Sequence, residues 1–394
     1  MTQRLYEQDA YCRRFTARVL CCEPAGDRCA VVLDRTAFFP EGGGQAADTG
    51  RLDGVAVLDV QTDGETITHY TAAALPVGQT VTGELDWPQR FCRMQKHTGE
   101  HIVSGLIHRE YGLENVGFHL GHEDVTLDLN GELSREQLDR IEDMANAAVA
   151  DDRPVTARYP SEQELAGMAY RSKKALAGAV RIVTVEGIDV CACCAPHVPS
   201  TGQIGVIKLL DALRYKGGMR IHMQCGRDAL LDYRMRYAQT ATVAAALSVR
   251  QDAVTAAVER LLEQKEQLAR QLRQAQRTLL LQRAKEIAPG TGAVCLITGP
   301  LESALLQELA TAVKSRCEHF CAVFAGEDDT GYQYMLLGQA PPALQERMTA
   351  QLGARGGGRD GVLRGRVTAT VQQIRTFFAG EAAGGTCQSA VSVL

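Results

Sequence analysis

The chain has 394 residues, of which 45% are hydrophobic and 23% are charged, a composition typical of globular proteins. This length predicts two to four domains rather than one core. The formal net charge of −5 excludes a uniformly basic nucleic-acid-binding protein, so any RNA-binding surface must be a local patch.

Targeting and redox features point to a cytoplasmic protein. The N-terminal sequence lacks the apolar core of a signal peptide, and no apolar run is long enough to span a bilayer. We therefore expect a cytoplasmic location and no membrane partner. The chain contains 13 cysteines, which in a reducing compartment are expected to be free thiols or metal ligands rather than disulfides.

Residues 1–88 are predicted to form mostly β-strands. Short alternating runs such as RCAVVLDR and TITHYTA are separated by Gly, Asp and Pro. Closure of a sheet removes its exposed edges, so the predicted packing is a small antiparallel β-barrel.

Residues 89–227 are predicted to form an α+β domain. From Arg90 the sequence RFCRMQKHTGEHIVSGLIHREY has helical periodicity, and VGFHLGHEDVTLDLN then alternates as a strand. Ser134 and Gln137 form a capping-box pattern before an amphipathic helix. AVRIVTVEGIDVCACC is typical of strands, so helices and strands are mixed in this region.

The rest of the chain is predicted to be a long helical segment followed by a small α/β domain. Residues 228–287 contain almost no Gly or Pro, and Leu247, Val254, Leu261 and Leu268 recur seven apart. This heptad predicts a long helix in a hairpin or coiled coil over 228–290. Strand-like and helical segments alternate over 291–394 around the glycine cluster ARGGGRDG. The predicted fold class is therefore α+β, with several domains.

Two segments carry side chains that favour zinc. In HTGEH, at residues 97–101, two histidines four apart on a helix share one face and can reach one ion. CACCAPH, at residues 191–197, offers thiolates and an imidazole. Each segment alone is compatible with packed histidines or buried thiols. Together they supply four ligands for a tetrahedral zinc site.

A third segment, TAFFPEGGGQAADTG at residues 36–50, contains three consecutive glycines. Glycines permit turns with positive φ or close approach of the backbone to a ligand, and a flexible hairpin loop would also explain them. The polar neighbours Thr36, Glu41, Gln45 and Asp48 favour a lining that recognises a substrate.

In this order, TAFFPEGGGQ, HTGEH and CxxxH followed by TGQIG resemble the editing domain of alanyl-tRNA synthetases and their free-standing AlaX trans-editing relatives. LDRIEDMANAAVADDRPV is similar to the helix between the two zinc segments of that family. The helical stretch and the C-terminal domain resemble the DHHA1 extension of the synthetase and of long AlaX proteins. The resemblance covers essentially the whole chain. No aminoacylation domain precedes it, which implies editing without charging.

The resemblance implies a zinc-dependent hydrolase that deacylates mischarged tRNA(Ala), chiefly seryl-tRNA(Ala) and also glycyl-tRNA(Ala). It implies four Zn²⁺ ligands, namely His97, His101, Cys193 and His197. The family has Gly-Gly-Thr where this chain has residues 194–196, so Cys191 and Cys194 stay open as alternative thiols, and alternation along a strand favours Cys193. The candidate catalytic residues are Thr36, Gln45 and Glu100. The candidate substrate-binding residues are Glu41, Gly42, Gly43, Gly44, Asp48, Thr98, Arg355, Gly356, Gly357, Gly358 and Arg359.

The resemblance also implies partners. We expect tRNA binding by a DHHA1-like domain at 291–394 and a homodimer formed through 228–394, with an intramolecular helical hairpin as the alternative. Local basic clusters could contact tRNA, and they comprise Lys173, Lys174, Arg214, Lys216, Arg220, Arg355, Arg359, Arg364 and Arg366. The alternative functions are an editor of another aminoacyl-tRNA and a non-catalytic zinc-containing tRNA- or RNA-binding protein. A DHH-type phosphoesterase would need an Asp-His-His motif, which the sequence lacks.

Overall fold

The computed structural model describes residues 1–121, 125–172, 179–341, 343–381 and 391–392. Lys173 and Lys174, two members of the basic clusters, lie outside these ranges. The chain divides into two compact units, Met1–Val243 and Ala244–Leu394. Both units mix helices with sheets, which confirms the predicted α+β class.

The first part of unit 1 is almost entirely β-structure. Its elements are β1 (Gln3–Arg4), α1 (Leu5–Gln8), β2 (Arg14–Ala25), β3 (Arg28–Leu33), β4 (Arg35–Thr36), β5 (Gly50–Leu52), β6 (Val55–Asp63), β7 (Thr66–Thr71) and β8 (Thr80–Leu85). Six strands pair antiparallel in the order β2-β3-β7-β6-β5-β8, and β8 pairs again with β2, so the sheet closes on itself. Alternate side chains point inward, where Leu33, Phe38, Leu52 and Ile67 form a fully buried core.

Helix α2 (Trp87–Tyr111) starts three residues before the predicted Arg90. The side chain of Asp86 accepts a hydrogen bond from the Gln89 amide, and Pro88 occupies the first turn, so the start is fixed by a cap and a proline rather than by periodicity. Gly112, with φ of +66°, ends the helix in a left-handed conformation.

The remaining elements of unit 1 surround α2. They are β9 (Asn115–Leu120), β10 (Val125–Leu129), α3 (Arg135–Ala150), β11 (Val155–Arg158), α4 (Glu162–Gly167), β12 (Ile182–Val185), β13 (Asp189–Ala192), a 3-10 turn (Thr201–Ile204), β14 (Ile207–Tyr215) and β15 (Gly218–Cys225). Two sheets form in the orders β14-β15-β10-β9 and β11-β12-β13. The capping box of Ser134 and Gln137 is confirmed in both directions. The single strand predicted over VGFHLGHEDVTLDLN is wrong, because β9 and β10 are an antiparallel pair. Burial alternates along β10 but not along β9.

The long helical segment, predicted as a hairpin or coiled coil, consists of two helices. Helix α5 (Gly226–Ala246) and helix α6 (Val254–Glu286) are separated by residues 247–253, where Ser248 has a φ of +55°. Leu247, the first predicted heptad residue, lies in this interruption, so the heptad begins at Val254. On α6, Leu261 and Leu268 are 53% and 65% exposed, which leaves the heptad face uncovered within unit 2.

Unit 2 also contains a six-stranded sheet. Its elements are β16 (Thr291–Thr298), α7 (Ser303–Lys314), β17 (Cys317–Glu327), β18 (Gly331–Gly338), α8 (Leu344–Leu352), β19 (Arg355–Arg359), β20 (Val362–Val367), α9 (Val371–Glu381) and β21 (Val391–Ser392). The strand order is β19-β20-β18-β17-β16-β21. The glycine cluster forms strand β19, which pairs with β20 on one side. Among the described residues, no helix combines the length and the apolar character that crossing a membrane requires.

Candidate metal centre and active-site cavity

The four predicted metal ligands meet inside unit 1. His97 and His101 lie one turn apart on α2, and Cys193 and His197 lie on the segment that follows β13. One ligand atom of each residue lies within 4.8 Å of those of the other three. The Cys193 sulfur is 3.5 Å from His97 Nε2 and 3.3 Å from His197 Nε2. Three imidazoles and a thiol at these separations fit a tetrahedral zinc ion.

Each histidine ring is oriented by a hydrogen bond at its Nδ1 atom. The partners are Gln45 Oε1 for His97 at 2.9 Å, Asp189 Oδ2 for His101 at 2.9 Å and Thr98 Oγ1 for His197 at 3.0 Å. A ring that donates from Nδ1 keeps the Nε2 lone pair free for a metal. The donor set therefore fits a metal in ring orientation as well as in residue type.

The protonation states of Cys193 and His197 suit metal binding. Burial alone would raise the pKa of the Cys193 thiol, but the nearby His97 and His197 rings lower that pKa well below its ordinary value. Burial lowers the pKa of His197 to about 3, so this imidazole is neutral. A thiolate and a neutral imidazole are the forms that bind metals. Burial would lower the pKa of His101, but its hydrogen bond to Asp189 raises that pKa well above its ordinary value, so His101 must lose a proton to bind a metal.

Asp189 connects the cluster to a half-buried arginine. Its carboxylate accepts from Arg171 Nε at 2.8 Å and Nη2 at 2.9 Å, and Arg171 Nη2 also donates to Ser104 Oγ at 2.7 Å. Burial would raise the pKa of Asp189, but the hydrogen bonds from His101 and Arg171 lower it to about 2. The carboxylate is therefore ionised and fixes the His101 ring.

The three thiols of residues 191–194 occupy different environments. Cys193 belongs to the four-ligand group, whereas Cys191 forms a second group with His101 and Asp189 whose ligand atoms also lie within 4.8 Å. Cys194 is exposed and belongs to neither group within the described part of the chain. Cys193 is close to two rings at once, so the geometry favours it, in agreement with the predicted register.

The triple glycine forms a tight turn. Gly42 and Gln45 exchange two backbone hydrogen bonds of 3.0 Å, and Gly43 and Gly44 between them have φ of +61° and +81°. Positive φ at both central positions is typical of a type I′ turn. A Cβ on Gly44 would lie 2.8 Å from both the ring and the carbonyl oxygen of Phe118. The turn places Gln45 directly behind His97.

The cluster opens into a cavity of about 650 Å³. Three of the four ligands reach its wall, and so do Gly43, Gly44 and Glu100. Glu100 is not a solvated helix residue, because it is 2% exposed and accepts a hydrogen bond from the Asn115 amide. Predicted site residues from two distant parts of the sequence thus face one space.

Other predicted residues around the turn do not line this cavity. The Thr36 hydroxyl is buried and lies 2.8 Å from His69 Nε2. Asp48 forms a fully buried ion pair with Arg90 and accepts from the Phe39 amide at 2.7 Å. Glu41 is exposed and accepts from Gln61 Nε2 at 2.9 Å. Their roles as substrate contacts stay predictions that these positions do not favour.

The predicted C-terminal contacts belong to unit 2. All five residues of β19, from Arg355 to Arg359, are exposed. Two arginines of the other predicted basic cluster are already engaged, because Arg214 pairs with Glu132 at 3.1 Å and Arg220 with Asp128 at 2.6 Å.

Sequence reasoning missed the residues that support the cluster. Asp189 could have been found, because Asp189, Cys191 and Cys193 alternate along one strand and point to one face. Arg171 and Asn115 had no signal, since they act on Asp189 and Glu100 through contacts that only the fold creates.

Two families of known proteins match parts of the chain. The family described as "Threonyl and Alanyl tRNA synthetase second additional domain" matches residues 180–222, which include Cys193 and His197. The family "tRNA synthetases class II (A)" matches residues 19–89.

Individual relatives extend the similarity. AlaX-L, an alanyl-tRNA editing protein of Pyrococcus horikoshii, is 29% identical over 95% of this chain and 96% of its own length. The alanyl-tRNA editing protein Aarsd1 of Mus musculus is 32% identical over 54% of this chain and 56% of its own length. The alanine–tRNA ligase of Pyrococcus abyssi is 37% identical over 59% of this chain, which spans 27% of that enzyme.

The fold, the ligand cluster and these matches make the chain similar to the editing region of alanyl-tRNA synthetase. The similarity to AlaX-L extends over nearly its whole length, whereas the chain spans about half of Aarsd1 and about a quarter of the ligase. The predicted resemblance to long AlaX-type editing proteins is confirmed.

Proposed function

We propose that this chain is a trans-editing hydrolase that deacylates mischarged tRNA(Ala), with seryl-tRNA(Ala) as its main substrate and glycyl-tRNA(Ala) as a second one. Its editing relatives indicate aminoacyl-tRNA deacylase activity. The observation that carries the proposal is the group of three imidazoles and a thiol beside a cavity of about 650 Å³. Cavities of roughly 300–1,000 Å³ hold drug-sized ligands, so there is room for a nucleoside as well as an amino acid.

Zinc is the metal that the donor set favours, and His97, His101, Cys193 and His197 would hold it. When bound, zinc supplies Lewis-acid polarisation of an oxygen and lowers the pKa of a coordinated water. Because four protein ligands already complete the usual tetrahedral set, we assign the handling of the attacking water to residues beside the cluster.

Glu100 is the proposed proton acceptor. It lies on the cavity wall next to two of the ligands in sequence, and the Asn115 amide fixes its carboxylate. Deacylation adds water to the ester between the amino acid and the tRNA 3′ oxygen. Glu100 takes a proton from this water as its oxygen bonds to the carbonyl carbon. The proton then passes to the leaving 3′ oxygen as the ester bond breaks, which yields the free amino acid and a 3′ hydroxyl.

Gln45 is the proposed selector of serine over alanine. Its Oε1 atom accepts from His97, while its Nε2 atom is buried without a hydrogen-bond partner among the described residues. A serine hydroxyl would supply that partner, whereas alanine would leave the amide unpaired. Neither Gln45 nor Thr36 lines the cavity. The Gln45 amide nitrogen has no partner among the described residues, whereas the Thr36 hydroxyl already lies 2.8 Å from His69 Nε2, so we favour Gln45.

The decisive experiment is deacylation of tRNA(Ala) charged in turn with serine, glycine and alanine. We expect release of serine and glycine and no release of alanine. Release from none of the three, with tRNA still bound, would instead support the zinc-containing RNA-binding alternative. Release only from a different aminoacylated tRNA would support the alternative function, an editor of another aminoacyl-tRNA.

We further propose that residues 291–394 form a DHHA1-like domain that binds tRNA and that 228–394 mediate a homodimer. The exposed arginines of β19 and the uncovered Leu261 and Leu268 of α6 support these assignments. Changing both Arg355 and Arg359 to Gln should weaken tRNA binding and lower its salt slope by about 1 per lost contact. Light scattering at micromolar concentration should give a dimer mass, and a monomer mass would reject the dimer.

A further inference from the structure

Arg181 is a buried arginine on the wall of the active-site cavity, and the reaction outlined above gives it no role. It lies directly before β12 and is 8% exposed. Its Nη1 atom donates to the carbonyl oxygens of Cys193 at 3.1 Å and Ala195 at 2.8 Å. These bonds fix the guanidinium beside the segment that carries two of the metal ligands.

The charges of the cavity wall single out Arg181. Arg4 and Arg171 also line the cavity, but each pairs with a carboxylate. Arg171 donates twice to Asp189, and Arg4 donates to Glu7 at 3.2 Å. Arg181 makes no ion pair within the part of the chain that the structure describes. Burying a positive charge without an anion is unfavourable, so this position suits an anion that comes from outside.

The guanidinium also has donors left for such an anion. It carries five N–H groups, and both of its hydrogen bonds to described residues use Nη1. The Nε and Nη2 groups form a planar fork that matches the oxygens of a phosphate or carboxylate.

The chemistry of the substrate identifies the anion. In an aminoacyl-tRNA the carboxyl group of the amino acid is esterified and its amino group is positive or neutral, so the amino acid offers no anion. The nearest negative charge is the phosphate on the 5′ side of the terminal nucleoside. We propose, on the basis of the deacylase function above, that Arg181 binds the phosphate of the 3′-terminal nucleotide of the tRNA. Its binding positions the ester beside Glu100 and the ligand cluster.

The test uses two pairs of probes that differ only in this phosphate. Adenosine and adenosine 5′-phosphate are compared by calorimetric binding, and their 3′-seryl esters are compared by kcat/KM, all with the zinc-loaded protein. In the wild type the phosphate should raise both affinity and kcat/KM by about 10- to 100-fold. Arg181→Met should abolish this gain and leave adenosine binding unchanged, and Arg181→Lys should restore part of it.

Arg4→Gln is the matched control, because it removes an equal charge from the same cavity wall where the arginine already has a carboxylate partner. In Arg4→Gln the phosphate should still raise affinity and kcat/KM as it does in the wild type. Zinc content and Tm, measured for every variant, separate loss of the anion site from loss of the fold. If Arg181→Met does not fold, Arg181→Lys tests the proposal instead, because lysine lacks the planar fork. If the phosphate raises affinity and kcat/KM in Arg181→Lys as much as in the wild type, the proposal is overturned.

The two proposals fail in different ways. A wild type that releases serine from seryl-tRNA(Ala) but shows no phosphate gain, or an Arg181→Met variant that keeps the gain, overturns the role of Arg181 alone. A wild type that binds adenosine 5′-phosphate through Arg181 but hydrolyses no aminoacyl-tRNA overturns the deacylase function and leaves Arg181 as a phosphate site.

Discussion

Replacing Asp189 by Asn tests whether the metal cluster depends on the buried charge behind His101. Asp189 is 5% exposed and accepts from His101 Nδ1 at 2.9 Å and from Arg171 at 2.8 and 2.9 Å. Asn has nearly the same shape but no charge, and its amide nitrogen cannot accept from Arg171 or His101. The variant therefore leaves Arg171 without its counter-charge and frees the His101 ring to rotate.

The expected effect has two parts. Breaking a buried ion pair by removing one partner costs about 3–5 kcal/mol, so the free energy of unfolding of the metal-free protein should fall by about that amount. Loss of the partner behind a metal-binding histidine weakens metal affinity by about 10- to 100-fold. Urea unfolding measures the first quantity, and zinc titration against a competing chelator measures the second.

Glu186→Gln is the matched control, since Glu186 is an exposed carboxylate in the turn between β12 and β13. It should change unfolding free energy by less than about 0.5 kcal/mol and leave zinc affinity unaltered. If Asp189→Asn binds zinc as tightly as the wild type, the orientation of His101 comes from packing alone and the reasoning is refuted.

Three further predictions concern the ligand thiol, a buried histidine and the glycine turn. Cys193→Ala should lose its zinc in elemental analysis while Cys194→Ala retains it, and the reverse would overturn the ligand assignment. Burial lowers the pKa of His69 to about 4, whereas a histidine in an unfolded chain has a pKa of about 6.5. As the pH falls between these two values, the unfolded state binds more protons than the folded state, so the folded protein loses stability. In urea unfolding, the free energy of unfolding should fall by about 2 kcal/mol less between about pH 7 and about pH 4.5 in His69→Gln than in the wild type. An equal fall in the two proteins would contradict this prediction. Gly44→Ala should lower both seryl-tRNA(Ala) deacylation and Tm more than Gly54→Ala does. Both glycines have positive φ, but a Cβ at Gly44 would lie 2.8 Å from Phe118, whereas one at Gly54 would have no atom within 4 Å. Equal effects of the two substitutions would mean that only the positive φ matters.

The ligand cluster could be predicted because its chemistry is local in sequence. HTGEH on a helix puts two imidazoles on one face, and the family resemblance together with alternation along the strand favours Cys193 over Cys194. The support behind the ligands could not be predicted in the same way. Arg171 reaches Asp189 only because residue 171 bridges to Cys191 in the fold, and no spacing in the sequence encodes that contact.

The breaks within predicted segments have the same physical origin. No glycine marks the interruption at 247–253, because its left-handed residue is Ser248, not the glycine that such a conformation usually requires. Alternating residue types predict one strand over β9 and β10, although burial alternates only along β10. Periodicity reports which face is buried but not where the chain reverses.

The polar residues around the triple glycine show why a motif alone does not assign roles. A buried loop must satisfy its own backbone groups, and Asp48 does so by accepting from the Phe39 amide while Arg90 donates to the carbonyl of Ala37. Arg90 stands on the first turn of α2, seven residues before His97 and therefore about 10 Å along the same helix. The helix that carries the histidine ligands thus also anchors the loop whose turn places Gln45 behind His97. The proposed selection of serine by Gln45 and the orientation of His97 both depend on the position of this turn. A change at Asp48 should therefore disturb both, although Asp48 lines no part of the cavity.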